Sequence, residues 1–303
     1  MIEPIVHSGT RAKAGYPQAL RRLFIIFTLL LVGAYIATLL RAWQETLRDS
    51  RASLTHVNSM LVQGLRSTMK SHEMVLLGLG GELVAQGALR EPERGGNLIE
   101  RMKAIDSGIA EFSLARPDGQ LVLASNVTNS APLPNLAHMP ETRESFLLSI
   151  TKKHIQIGRP HFMKALDQWV SPVVVPIHDS TGKIVAVMTA GYPLENGASA
   201  WSSMTLPPYV TTVLLRKDGY LQHLYPMFPQ KTPDDAYGGP AAAETLRQVM
   251  ALTSVSGFTS MYFPRLHGDF YLAYELIEEH GLFAATFTPR NVLLAHWLER
   301  IIA

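Results

Sequence analysis

The sequence predicts an α+β protein in which an N-terminal transmembrane helix continues into a long stalk helix and two antiparallel-sheet lobes follow. The first observation behind this fold class is an uncharged run of 18 residues from Leu23 to Leu40. The second is a proline-free stretch after this run, with apolar residues at helical spacing. The third is a pair of similar segments, "RPDGQL" at 116–121 and "RKDGYL" at 216–221. Each opens a block of strands and helices without strict alternation, which favours antiparallel sheets.

The composition excludes or disfavours several classes of function. The chain has 303 residues, enough for two domains, with 27 basic and 25 acidic residues. This balance disfavours a nucleic-acid partner, which requires clustered excess positive charge. The sequence contains no cysteine, which excludes disulfides, thiolate metal sites and a thiol nucleophile.

The predicted transmembrane helix covers residues 23–43. At about 1.5 Å per residue, the run continued to Trp43 reaches roughly 31 Å, the thickness of a bilayer core. A cleaved signal peptide is the alternative, but "LLRAWQETL" at the end of the run contains no A-x-A-like cleavage site. Residues 1–22 carry four basic residues and one acidic residue, which predicts a cytoplasmic tail.

The stalk helix is predicted over residues 44–80, where three glycines indicate its end or a bend. It can be a core helix packed on a domain, a rod that couples a domain to the membrane, or both. Its apolar stripe also permits a homodimer, in which two copies pair through the stalk. The stripe consists of Trp43, Leu47, Leu54, Val57, Leu61, Leu65, Met69 and Leu76.

The first lobe is predicted over residues 81–192. A helix near 97–109 precedes the hairpin "FSLARPDGQLVLAS", whose Asp-Gly pair between apolar runs is a strong turn signal. The segment "RESFLLSITKK" predicts a short helix, and "HIQIGRPHF", "WVSPVVVPIH" and "KIVAVMTAGY" predict three strands. Residues 193–208 are predicted to be a linker because glycine and proline interrupt the pattern there.

The second lobe is predicted over residues 209–288 and repeats this order in shorter form. It contains the hairpin "VTTVLLRKDGYLQHL", the helix "AAAETLRQVMAL" and three further strands. Residues 289–303 predict an exit helix, which we expect to lead toward a second membrane span that this chain does not contain.

This arrangement resembles the double Cache, or tandem PDC-like, extracytoplasmic sensors. The resemblance covers residues 41 to 303 and rests on "RESF" at 143–146, "IGRP" at 157–160, "WVSPV" with "GKIVAVMTAGY", "LLRKDGYL" and "NVLLAHWLERIIA". It implies two PAS-like lobes stacked along the stalk helix, the first far from the membrane and the second near it. The family member it resembles most is the sensor region of bacterial diguanylate cyclases, without the output domain. A bacterial inner-membrane location with periplasmic lobes is implied as well.

The resemblance also implies a ligand site in the first lobe, with a small organic ligand as partner. Arg143 is the expected partner of a ligand carboxylate, since its planar guanidinium suits that group. A solvated helix arginine is the alternative for Arg143, and a core tryptophan is the alternative for Trp169. The amino-acid-sensing members carry Trp-Tyr after the arginine, whereas this chain reads "RESF", which disfavours an amino-acid ligand. The candidate ligand-binding residues are Arg143, Phe146, Arg159, His161, Trp169 and Ser171.

Sequence motifs give no catalytic residue, no cofactor and no metal site. The sequence contains neither G-x-S-x-G nor H-E-x-x-H, and "HDSTGKI" lacks the first glycine of a phosphate loop. The predicted function is therefore extracytoplasmic small-molecule sensing for a membrane signalling protein, with no enzyme activity in this chain. The alternatives are an anchored interaction module without a small-molecule ligand, and the sensor of a histidine kinase or chemoreceptor.

Overall fold

The computed structural model describes residues 16–105, 108–125, 133–164, 166–194, 206–228, 231–252 and 254–302. The predicted tail up to residue 15 and most of the predicted linker, residues 195–205, lie outside these ranges. The longest element is helix α1, Tyr16–Ala85. Within it, Leu20–Ala85 is long and apolar enough to cross a membrane by length and composition.

The first lobe is a six-stranded antiparallel sheet with two helices. Its order is β2-β1-β6-β5-β3, with β4 also paired to β5. The helices are α2, Glu93–Ile105, and α3, Arg143–Lys152. The strands are β1 Glu111–Ala115, β2 Leu121–Ala124, β3 Gln156–Ile157, β4 His161–Met163, β5 Gln168–His178 and β6 Ile184–Pro193.

The second lobe is a five-stranded antiparallel sheet with the order β8-β7-β11-β10-β9. Its strands are β7 Thr211–Arg216, β8 Leu221–Tyr225, β9 Ser256–Phe263, β10 Gly268–Ile277 and β11 Leu282–Pro289. Helices α4, Pro233–Tyr237, and α5, Ala243–Met250, precede β9, and α6 is Arg290–Ile302. In both sheets the first hairpin lies at one edge, and the last strand pairs with the first strand of that hairpin. The predicted α+β class with two antiparallel lobes is therefore confirmed.

The two Asp-Gly hairpins have the same local structure. Gly119 and Gly219 have φ values of +88° and +91°, which residues other than glycine rarely adopt. The carboxylate of the preceding aspartate accepts a hydrogen bond from the backbone two residues on, at 3.0 Å for Asp118 and 3.5 Å for Asp218. Both hairpins also shift register at the end of their first strand. The sequence repeat therefore reflects one turn geometry used twice.

Both sheets pack on α1 through one continuous hydrophobic core. Leu61, Leu65 and Leu76 are at most 2% exposed, and they belong to one core cluster that includes residues of both sheets. Further along, Leu54 and Val57 pack against the second lobe. The predicted stalk stripe is therefore buried within the chain from residue 54 to residue 76, which leaves it unavailable for pairing with a second copy.

Helix α1 continues past the glycines that were expected to end it near residue 80. Gly80 lies directly against the first sheet, where an added Cβ atom would be 2.6 Å from Cδ1 of Ile177 and 3.3 Å from Cβ of Met188. The glycine therefore lets helix and sheet approach closely instead of ending the helix, because tertiary contacts override its low helix propensity.

Among the described residues, 16–49 and 293–302 form a second compact unit. In it, the rings of Trp43 and Trp297 meet edge to face with centroids 5.7 Å apart. Arg300 lies 3.6 Å from the carboxylate of Asp49. The end of α6 therefore contacts α1 next to the apolar segment that was predicted to cross the membrane.

Candidate functional site

Arg143 and Phe146 lie on α3 in very different surroundings. Arg143 is the first residue of this helix and is exposed, and among the described residues it forms no ion pair. Phe146 is 2% exposed and packs with Leu121, Leu136 and Val174 on the sheet face opposite α1. Phe146 is therefore part of the hydrophobic core, whereas Arg143 is free to meet a solute.

Arg159 belongs to a charged cluster that joins the two lobes. Its Nε lies 2.8 Å from the carboxylate of Asp218, and one Nη lies 3.5 Å from Glu144. Arg216, at the end of β7, lies 3.0 Å from each of the same two carboxylates. It also donates a hydrogen bond to the backbone carbonyl of Ile157 in the first lobe. Two guanidinium groups and two carboxylates thus form one network, in which each arginine bridges both acids.

The network keeps the carboxylate of Asp218 and the guanidinium of Arg159 ionised. Burial raises the pKa of Asp218, but the hydrogen bonds from Arg216 and Arg159 outweigh burial, so the pKa lies below its ordinary value. The hydrogen bond to Asp218 raises the pKa of Arg159. The guanidinium of Arg159 also lies 5.1 Å from the ring centroid of Tyr220. The two arginines are thus matched by two acidic residues, and Arg159 already has a carboxylate partner.

Trp169 and Ser171, on β5, also contact the second lobe. The indole Nε1 of Trp169 donates to the carboxylate of Asp234 at 2.6 Å, and its ring lies 6.2 Å from that of Tyr237. The hydroxyl of Ser171 donates to the side-chain carbonyl of Gln222. The amide of Gln222 in turn donates to the carbonyl of Gly158 at 2.8 Å. Three of the six predicted ligand-binding residues therefore have partners across the lobe interface.

His161 and His223 are both buried enough to lose their charge. Burial lowers the pKa of His161, which lies on β4, and its Nδ1 has no hydrogen-bond partner among the described residues. Burial also lowers the pKa of His223, on β8, to about 4. The Nε2 of His223 lies 3.1 Å from the hydroxyl of Thr212. Both imidazoles are therefore neutral at pH 7.

A cavity of about 140 Å³ lies in the second lobe, on the sheet face that turns away from α1. The sheet contributes Leu215, Phe283 and Phe287, and α5 contributes Val249. The sequence did not predict this cavity, since an apolar strand face looks the same whether or not the opposite wall fills it. Within the described ranges, no three His, Asp or Glu side chains converge on a potential metal site.

No protein-family model matches this chain, and no curated protein matches it by sequence. Its fold does match solved structures. One is the extracellular domain of rpHK1S-Z16, a protein assigned as a histidine kinase. It is 18% identical in sequence to this chain with a TM-score of 0.61, and the match covers 83% of this chain and 99% of that one. The ligand-binding domain of the Pseudomonas aeruginosa amino acid chemoreceptor PctB, solved with L-Gln, is 14% identical with a TM-score of 0.57, over 80% and 92%.

A third match is the ligand-binding domain of the Campylobacter jejuni chemoreceptor Tlp3, solved with 4-methylisoleucine. It is 12% identical with a TM-score of 0.56, and the likeness covers 83% of this chain and 94% of that one. At this level of identity the comparisons establish the fold and not the ligand. The chain therefore has the two-lobe fold of extracellular sensor domains.

Proposed function

We propose that this chain is the extracytoplasmic ligand-sensing region of a membrane signalling protein. The observation that carries the proposal is that two antiparallel lobes share one core with a helix whose N-terminal segment is apolar and exposed. A displacement of either lobe should move this helix, because closely packed cores transmit displacement. The fold likeness to extracellular sensor domains supports the same function.

The lobe interface gives this function a physical mechanism. Arg216 contacts the first lobe at Glu144 and Ile157, and Glu144 follows Arg143 directly on α3. A ligand that displaces α3 therefore changes the contacts of Arg216 in the second lobe. The displacement also reaches α1, because both sheets pack on it.

We infer that the ligand of the first lobe carries a carboxylate and that Arg143 binds it. Of the two arginines in the predicted site, Arg143 has no carboxylate partner among the described residues, whereas Arg159 is paired with Asp218. Binding that also recruited Arg159, Trp169 or Ser171 would have to open their contacts with the second lobe. Because Arg143 is exposed, removing its guanidinium should weaken binding by about 10-fold, the low end for a charged partner.

A thermal-shift screen of organic acids, amino acids and neutral analogues on the full chain in detergent tests this inference. We expect organic acids to raise the melting temperature. Arg143→Ala should reduce the affinity, while Arg101→Ala, an exposed arginine on α2, should leave it unchanged. Hits that are all uncharged, or equal affinities for the two variants, would refute the role of Arg143. If no compound binds, an interaction module becomes the better description.

A homodimer through the stalk, if it forms, must use the exposed face of α1. This face repeats at intervals of three and four residues and lies opposite the buried stripe, with Met60, Ser67 and Met74 among its members. We propose a weak dimer, since much of the face is polar. Single cysteines at these three positions should crosslink in membranes, while a cysteine at Thr55, off this face, should not. Equal yields at all four positions would count against the dimer.

A further inference from the structure

The cavity of the second lobe lies between the sheet and the two helices that cover it. All five strands of the sheet contribute to its floor, and α4 and α5 form its walls, with Ala236 and Ala242 among the lining residues. The volume is about 140 Å³. Protein interiors are close-packed and contain few voids larger than a water molecule. The cavity therefore leaves room for a small molecule.

In the first lobe, a side chain of the covering helix packs into the equivalent position. There, Phe146 of α3 packs against Leu121, Val174 and Val187 on the sheet face opposite α1. In the second lobe the shorter α5 presents Thr245 and Val249 to the corresponding face. The two lobes share their strand order, so α5 takes the place in the second lobe that α3 takes in the first.

The chemistry of the lining specifies the occupant. All but three of the described lining side chains are apolar, the exceptions being Lys231, Asp235 and Thr245. Asp235 is exposed and caps α4, where its carboxylate accepts hydrogen bonds from the backbone N–H and the hydroxyl of Thr232. The interior therefore offers no set of polar groups that would replace the hydration of an ion. An engineered apolar cavity of about 150 Å³ in another protein stays dry and binds benzene.

Helix α4 links this cavity to the first lobe. Its Ala236 lines the cavity, and the neighbouring Asp234 accepts the indole hydrogen bond of Trp169. Ala236, Tyr237 and Leu224 also form one hydrophobic cluster with Trp169. A molecule that enters the cavity must press on the same five-residue helix that holds Trp169.

We propose that the second-lobe cavity binds a small uncharged apolar molecule about the size of one aromatic ring, and that α4 transmits its presence to Trp169. This site is separate from the carboxylate site inferred for the first lobe, so either can fail without the other. It gives the chain a second input, which acts on the lobe interface from the opposite side.

Benzene is the probe for this site, added to the full chain in detergent. It should raise the melting temperature by about 2–4 °C, as expected for a ligand present at a few times its dissociation constant. Ala285→Leu and Ala242→Leu each place a larger side chain in the cavity and should abolish the rise. Ala243→Leu, at an exposed position on α5 outside the cavity, is the matched control and should keep it. If Ala285→Leu does not fold, Ala242→Leu, at a half-buried position, still decides the outcome.

Tryptophan fluorescence tests the link to the first lobe. Benzene should shift the emission of the wild-type chain, and Trp169→Phe should remove this shift while the rise in melting temperature persists. Equal melting-temperature rises in the cavity-filling and control variants would show partitioning of benzene into the detergent and would overturn the site. A cavity-dependent rise without any change in the emission of Trp169 would overturn the role of α4.

Discussion

Replacing Arg216 with methionine should destabilise the two-lobe unit far more than a similar change at the protein surface. The side chain of Arg216 is 9% exposed, and it holds Glu144, Asp218 and the carbonyl of Ile157. Methionine keeps much of the side-chain length and removes every one of these bonds. The perturbation therefore acts on the lobe interface with little change in volume.

The magnitude follows from what remains after the substitution. Removing one partner of a buried ion pair costs about 3–5 kcal/mol, because the other charge stays buried without compensation. Here Asp218 keeps Arg159 at 2.8 Å, and Glu144 is 43% exposed and regains water. We therefore expect a loss of about 2–3 kcal/mol. For a unit of this size, that corresponds to a melting temperature lower by about 4–12 °C.

The matched control is Arg66→Met. Arg66 also pairs with two carboxylates, those of Glu275 at 3.2 Å and Glu279 at 2.9 Å, but it is 47% exposed. Exposed pairs contribute about 0–1 kcal/mol, so this variant should stay close to wild type. Thermal unfolding of the full chain followed by circular dichroism measures both variants. If Arg216→Met loses no more stability than Arg66→Met, the charged cluster does not hold the lobes together.

Two further predictions concern pH and helix contact. The pKa of His223 is about 4 in the folded chain and ordinarily near 6.5, so the unfolded chain binds the proton more readily. The free energy of unfolding should therefore fall by about 3 kcal/mol as the pH drops from 6.5 to 4. Melting temperatures across this pH range should depend less on pH for His223→Gln than for wild type, whereas the control His56→Gln, at an exposed position, should behave like wild type. Parallel curves for His223→Gln and wild type would contradict the role of His223. On α2, an added Cβ atom at Gly95 would lie 2.7 Å from Leu83 and 2.9 Å from Leu123, whereas Gly96 has nothing within 4 Å. Gly95→Ala should therefore cost about 1–3 kcal/mol and Gly96→Ala should gain up to about 1 kcal/mol in denaturant unfolding; a stabilising Gly95→Ala would refute the close contact of α2.

The elements that the sequence predicted correctly depend on neighbouring residues. The long helix follows from an uncharged run and a proline-free stretch with helical spacing, and it spans Tyr16–Ala85 in the structure. The hairpins follow from Asp-Gly between apolar runs, and both form with positive φ at Gly119 and Gly219. Hydrophobic periodicity and turn chemistry act over a few residues, so they can be read without knowing the fold.

The site depends on residues that are distant in the sequence. "RESF" indicated a pocket helix, but the sequence does not reveal that Phe146 is buried in the core while Arg143 is exposed. The repeat of Arg-x-Asp-Gly was visible, yet the pairing of Arg216 with Glu144, 72 residues away, was not. Such partners are selected by the way the two sheets pack on α1, and no local pattern encodes that arrangement.

The sequence by itself determined the α+β class, the apolar helix with its stalk and the repeated strand order, because backbone propensity and hydrophobic spacing are local properties. Only the tertiary structure decided that the stalk stripe is buried against the chain's own sheets. It also decided that Arg159, Trp169 and Ser171 contact the second lobe, and that a cavity remains beside α5. These features depend on how fully two distant surfaces fill the space between them. That quantity is set by the volumes of side chains from many elements at once.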